Sequence, residues 1–288
     1  MAEKDITQKR LEDYPDVFAD IFNVLLFKGE QVIKPTEEDL EPALPRSIYK
    51  MDEKIHEQER DVAKFWRSGQ IRLALLGLEN QSKVDNDMPL RVIGYDGAAY
   101  REQLNHDEES KPKMRYPVVT LVLYFGEKHW TAPRSLKKCF DIPPALNKFV
   151  NDYKIRVIEV AWLSDSVINK FQSDFRIVAN FFKQRRLNKG YIASKQEWRH
   201  VQAVLELLAA ATRDDRYVLE YDKEKERPKD MDAWLTEKIN GGIAQGEKRL
   251  SKLIQKLLKA GKNQEIMEAT TDSSRRMELY REYNIAIT

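Results

Sequence analysis

Cysteine is nearly absent from this chain of 288 residues: Cys139 stands alone, which excludes an intramolecular disulfide and suits a reducing compartment. Histidine is scarce too. His56, His106, His129 and His200 lie far apart, without the paired spacing of a zinc site. Long apolar runs are missing; the longest, Pro117 to Phe125, falls well short of a bilayer span. The opening Met1-Ala2-Glu3-Lys4-Asp5 has no apolar signal core. The expectation is a soluble cytoplasmic protein with no membrane partner and no small-molecule cofactor. A dominant charge is missing as well. Lysine and arginine number 49 against 47 acidic residues, so local clusters rather than net charge must identify a partner.

What is present is enough for a core. Hydrophobic residues make up 42% of the chain, and its length allows one large domain with a smaller appendage. Val17, Ile21, Val24 and Leu25 recur at helical spacing over 14–28, with Pro15 in the first turn and Gly29 as a stop. Asp20 and Asn23 interrupt that apolar helix. Residues 35–50 read as loop, and 53–67 fit a helix, with a short strand after Asp61 as the rival. Ser68-Gly69 turns the chain into an apolar strand over 71–79. A helix over Met88–Leu104 and a doubly buried strand over Val118–Phe125 follow. Lys154–Trp162 alternates as a strand, and a long helix is expected from Ser164 to Leu187, with Ser164 or Asp165 as its N-cap. Ser194 is expected to cap a further helix reaching Thr212. The composition divides the chain into a domain over 1–220, a charged linker over 221–235 and a helical region over 236–288. Gly241, Gly242 and Gly246 punctuate the start of that region. From Lys248 to Lys262 six basic residues and no acidic one share a helix with an apolar stripe, which fits self-association, DNA contact or packing on the body.

The chemistry concentrates at Glu79-Asn80-Gln81-Ser82, which closes the run Ile71-Arg-Leu-Ala-Leu-Leu-Gly-Leu78. A carboxylate ending such a strand is poor core material and suits a hard metal ion. Alternation along a strand points Glu79 and Gln81 to one face and Asn80 to the other, with Lys83 on the Glu79 face if the strand continues. Asp61 lies close enough in sequence for a turn to bring it alongside. Asp61 and Glu79 could hold one Mg²⁺ (or Mn²⁺), with the backbone carbonyl of Asn80 as a further ligand. Gln81 does not titrate, so it could orient a water or bind a phosphate oxygen but not take a proton. Lys83 could supply positive charge. The plain alternative is a solvated strand end. Arg91 and Tyr95, four apart on one helix face, could reach phosphate or pack locally. The basic cluster Lys183, Arg185, Arg186 and Lys189 is either a solvated helix end or a grip on DNA phosphates.

A larger pattern joins these pieces. Asp16-Val-Phe-Ala-Asp-Ile-Phe-Asn-Val-Leu-Leu-Phe27, Glu59-Arg-Asp61-Val62, Leu76-Gly-Leu-Glu79-Asn-Gln81-Ser-Lys-Val-Asp85, Met88-Pro-Leu-Arg-Val-Ile-Gly-Tyr-Asp96 and Tyr116-Pro-Val-Val-Thr-Leu-Val-Leu-Tyr-Phe-Gly126 occur in that order. Together they resemble the recombination-promoting nuclease (Rpn) family, often labelled putative transposases, within the PD-(D/E)XK superfamily. The resemblance covers roughly residues 14–190. The glycine-punctuated, helical C-terminal region resembles the family less specifically.

The resemblance implies an α/β PD-(D/E)XK restriction-endonuclease-like core, a mixed central sheet flanked by helices, and Mg²⁺-dependent cleavage of DNA. It matches Asp61 to the motif Asp, Glu79 to its Asp/Glu and Gln81 to the position usually held by Lys. It matches Asp20 to a polar residue of the first core helix that supports the metal through water. DNA is the expected partner, with a homodimer as the expected assembly. A non-catalytic DNA-binding or regulatory protein that keeps the nuclease fold is the alternative.

Overall fold

The apolar stretches between residues 40 and 159 pair into one mixed sheet in the computed structural model. The structure describes residues 11–43, 46–51, 54–59, 61–105, 115–187, 191–193, 195–212, 216–222, 228 and 230–286, with the backbone alone for 46–51, 54–59, 105, 220 and 273. Five strands run in the order β1 (Leu40–Pro42), β4 (Val62–Ser68), β5 (Ile71–Gln81), β6 (Val118–Tyr124) and β7 (Arg156–Glu159). The first two pairings are antiparallel and the last two parallel. A separate antiparallel hairpin joins β2 (Arg46–Met51) to β3 (Lys54–Glu59).

β5 is the central strand, and its composition explains why. Every residue from Ala74 to Glu79 is buried, as a strand covered on both faces requires. It is entered by a two-residue turn in which Gly69 takes a left-handed φ of 58°, costly for any residue with a Cβ. One face is covered by α2 (Met88–Asn105), which connects β5 to β6. Met88 and Val92 pack on Val122 and Tyr124, and Ala99 packs with Ala63, Leu75 and Val118. The opposite face meets the helical residues 11–13 and α1 (Pro15–Leu25). There Lys64 of β4 pairs with Asp13 at 2.7 Å and lies 5.7 Å from the centre of the Phe18 ring.

Several expectations need correcting. The 35–50 stretch contains β1 and part of β2, and the described residues of 53–67 form β3 and the body of β4 rather than a helix. Asp61 sits at the bend that opens β4, where cross-strand pairing with β5 overrides local helical spacing. The strand expected over 154–162 is shorter: β7 gives way at Val160 to a 3₁₀ turn. The long helix expected over 164–187 is two, α3 (Asp165–Ile168) and α4 (Phe175–Arg186). Ser164 makes no capping bond from its side chain.

The break has an identifiable cause. Asp20 of α1, buried, accepts hydrogen bonds from the Gln172 and Ser173 amides, both at 2.8 Å, and so holds the chain out of helix there. Asn23 acts in the same way. Its Oδ1 accepts from the Val32 and Ile33 amides, and its Nδ2 donates to the Ile33 carbonyl. The two polar interruptions of α1 are therefore structural anchors. α5 (Val201–Thr212) begins later than expected. Its leading amides, Arg199 and His200, donate to Asp174 Oδ2 at 2.9 and 2.6 Å, so its cap comes from a residue distant in sequence. Ser194 lies outside the described residues. α6 (Arg216–Asp222) follows.

The chain divides into two compact units, residues 1–189 with 194–229, and residues 190–193 with 230–288. The second unit comprises α7 (Met231–Lys259), α8 (Asn263–Thr271) and α9 (Ser273–Glu282). Leu253, Leu257, Ala269, Leu279, Tyr280 and Ile285 form its core. α7 takes in residues 231–235, which the composition assigns to a linker, and carries Gly241, Gly242 and Gly246 in its interior. Gly261, at φ 71°, follows its end. Among the described residues no helix is long and apolar enough to cross a membrane.

Removing the distant cap should be measurable. Asp174→Ala leaves two backbone amides without their acceptor and should cost about 1–3 kcal/mol in urea unfolding. Asp174→Asn, which keeps an acceptor oxygen, should cost less; equal stability of all three proteins would contradict this role.

Candidate functional site

Three backbone relations at the end of β5 assemble the site. Val62 lies opposite Leu78, so the antiparallel register continued by one residue sets Asp61 opposite Glu79. The Asp61 amide donates to the Leu78 carbonyl at 3.1 Å, and Asp61 Oδ2 accepts from the Asn80 amide at 2.5 Å. Strand alternation then sends Glu79 and Gln81 toward α2, and Gln81 Nε2 donates to Glu79 Oε1 at 3.1 Å. Glu79 is 2% exposed.

Asn80 points to the opposite face, where it meets a residue that the sequence pattern does not single out. Its Nδ2 donates to Glu12 Oε2 at 2.6 Å. Glu12 is fully buried, and burial is the main reason its carboxyl is pushed up from 4.5 to about 8; the Asn80 bond opposes that rise and Asp61 adds to it. Glu12 Oε1 and Asn80 Oδ1 are both buried without a hydrogen-bond partner among the described residues. Such atoms are costly unless something polar meets them. The sequence signal for Glu12 is weak: Pro15 marks a first helical turn, yet residues 11–13 are already helical ahead of it.

On the α2 face Arg91 forms ion pairs with Glu79, by a short contact, and with Asp85 at 3.0 Å. Its Nε and Nη2 also donate to the Tyr95 hydroxyl, at 3.2 and 3.1 Å. Burial opposes the Arg91 charge, but Glu79, Tyr95 and Asp85 together outweigh it and hold the guanidinium firmly protonated. The Tyr95 phenol is pushed up to about 12, first by burial and then by Glu79, with Arg91 pulling the other way.

The other expected site residues lie elsewhere in the described structure. Lys83 is exposed in the turn after β5, which ends at Gln81, so it does not share the strand face of Glu79. Asp20 is committed to the Gln172 and Ser173 amides. Lys183 pairs with Asp165 and Arg185 with Glu127, both at 2.7 Å. Arg186 donates to the Ala161 carbonyl and stacks 3.9 Å from the Trp162 ring centre. These three side chains brace their own surroundings, and Lys189 lies outside the described residues. Among the described residues no group of three or more His, Cys, Asp or Glu is gathered closely enough to hold a metal ion unaided.

A family model described as "Putative transposase, YhgA-like" matches residues 73–214, from within β5 to just past α5. That span contains Glu79, Asn80, Gln81, Arg91 and Tyr95, whereas Glu12 and Asp61 precede it. No curated protein and no solved structure matches the chain.

Glu12 sets a pH dependence. In the folded protein it keeps a proton between pH 4.5 and about 8 that the unfolded chain releases, so its contribution to stability falls as pH rises through that window. Urea unfolding in EDTA should show Glu12→Gln with a flatter pH profile than wild type and a relative gain in stability toward pH 8. Parallel profiles across that range would contradict the burial of this carboxyl.

Proposed function

The chain belongs to the YhgA-like putative transposases, a family of the Rpn/PD-(D/E)XK-like group, and we propose that it is a Mg²⁺-dependent DNA endonuclease. The reading rests on one arrangement: a buried carboxylate, Glu79, ends the central strand with a second carboxylate, Asp61, hydrogen-bonded to the next amide. The order of helix, antiparallel β4–β5, helix α2 and parallel β6 is compatible with the PD-(D/E)XK core and sets this pair at one end of the sheet.

The donor set fits a hard divalent cation. Mg²⁺ is ordinarily held by one or two carboxylates, with water and phosphate oxygens filling its remaining positions, so a closed cluster of three acids is not required. The unpartnered buried oxygens Glu12 Oε1 and Asn80 Oδ1 lie at the same strand end, on the face opposite Glu79. They mark unmet hydrogen-bonding capacity there among the described residues. Asp61 and Glu79 are the residues that would hold the ion. When bound, it supplies neutralisation of charge developing on a phosphate and acidification of a water.

The chain's own groups do the positioning. Gln81, tied to Glu79, offers a neutral amide that can hydrogen-bond a water or a phosphate oxygen at the strand end without exchanging protons. Asp61 fixes the Asn80 backbone, and Asn80 in turn holds Glu12, so the strand end is braced from both faces before substrate arrives. DNA is the substrate class that this group of nucleases implies.

The test is plasmid nicking by purified wild type and Glu79→Gln, with Mg²⁺ and with EDTA, after melting curves confirm that both are folded. Nicking confined to wild type with Mg²⁺ is the expected result. Equal nicking by both proteins would move the site elsewhere, and retained DNA binding without nicking by either would favour a non-catalytic DNA-binding protein.

A further inference from the structure

The candidate site already contains a cation of its own. Glu79 is fixed on the central strand with 3% of its side chain exposed, and Arg91 is paired with it. A buried carboxylate stripped of its counter-charge is strongly destabilising, so Arg91 meets a need that Glu79 creates in the metal-free protein. Arg91 differs from Glu79 in exposure. Its side chain is 36% exposed and bonded to two acids at once, Glu79 inside and Asp85 at the rim, the latter 28% exposed. Asp85 is itself held in place, since its Oδ1 accepts the Asp87 amide at 2.9 Å while its Oδ2 receives Arg91. Tyr95, one helical turn along α2, accepts from the same guanidinium and tethers it near the rim.

Resting on the nuclease reading above, we propose that Arg91 is an exchangeable counter-ion. It neutralises Glu79 while no metal is bound, shifts onto Asp85 when a divalent cation takes Glu79, and there offers its planar donors to a substrate phosphate. Three features support the exchange. A dication and a guanidinium against one carboxylate repel each other, so they compete for Glu79. The outer acid is in place, so Arg91 leaves without becoming an unpaired charge. A guanidinium bonded to a rim carboxylate keeps donors in the fork geometry that recognises phosphate. Arg91 thus makes metal binding and phosphate binding mutually reinforcing.

Two substitutions should act with opposite signs on Mn²⁺ binding. Fixed charges alone would give the same signs, so the loss in Arg91→Gln of the Mn²⁺-linked gain in DNA affinity is what separates exchange from a static ion pair. Mn²⁺ binding by the full chain without DNA, followed through the paramagnetic resonance signal of free Mn²⁺, provides a readout separate from cleavage. If Glu79 is open to metal about one-tenth of the time, Arg91→Gln should tighten Mn²⁺ binding by about tenfold. Asp85→Asn, a change at the rim that leaves the buried pair intact, should weaken it by removing the outer acceptor. In gel-shift titrations Arg91→Gln should also lose the gain in duplex DNA affinity that Mn²⁺ gives wild type.

Unchanged or weaker Mn²⁺ binding in Arg91→Gln, with normal binding by wild type, would overturn the exchange and leave the metal site standing. Stronger binding in Asp85→Asn would overturn it independently, even if Arg91→Gln failed to fold. Absence of Mn²⁺ binding in wild type and both variants would overturn the exchange together with the metal-dependent reading.

Discussion

A carboxylate held almost out of water at the end of a rigid strand is the constraint around which this structure is arranged. Glu79 has 2% of its surface exposed, in a setting where an ionised group is tolerated only if positive charge and donors surround it. Arg91 and Gln81 provide both from the α2 face. Behind the strand a second buried acid, Glu12, has no cation paired with it among the described residues and keeps its proton to about pH 8. Two nearby carboxyls thus meet the cost of burial in different ways, one by pairing and one by neutralisation.

The rest of the fold supplies the rigidity that such an arrangement needs. The sheet pairs β5 on both edges, antiparallel to β4 and parallel to β6, so the backbone around Glu79 has little freedom to relax. α2 carries Arg91 and Tyr95 at helical spacing directly above it. On the far face α1 is anchored by polar residues that resemble a faulty apolar pattern in sequence. Asp20 and Asn23 tie its length to distant backbone, which keeps the segment bearing Glu12 in register with the strand end.

Much of this is legible where local pattern and final structure agree. The apolar run from Ile71, the Ser68-Gly69 turn, the helix beginning at Met88 and the Val118–Tyr124 strand all follow from short-range periodicity. The shared face of Glu79 and Gln81 follows from strand alternation, and the bond between them has that geometry. What escapes is long-range. Asp61 sits at a strand entrance because β5 pairs with it, not because its neighbours prefer extended backbone. The helix expected to run from Ser164 to Leu187 breaks because Asp20, which precedes Gln172 by 152 residues, takes up two amides. Glu12 is hidden by a proline that looks like a helix start. The basic residues near the end of α4 look like a free patch in sequence, yet three of them are engaged with Asp165, Glu127 and the Ala161–Trp162 turn.

If the end of β5 is built to receive a divalent cation, the ion should be visible there. Anomalous diffraction from crystals soaked in Mn²⁺ reports its position without relying on activity. The expected peak lies within coordination distance of Asp61 and Glu79, with oxygen ligands at roughly 2.0–2.3 Å. A well-occupied peak elsewhere, or bare carboxylates with Arg91 still on Glu79 at saturating Mn²⁺, would show that this strand end is not a metal site.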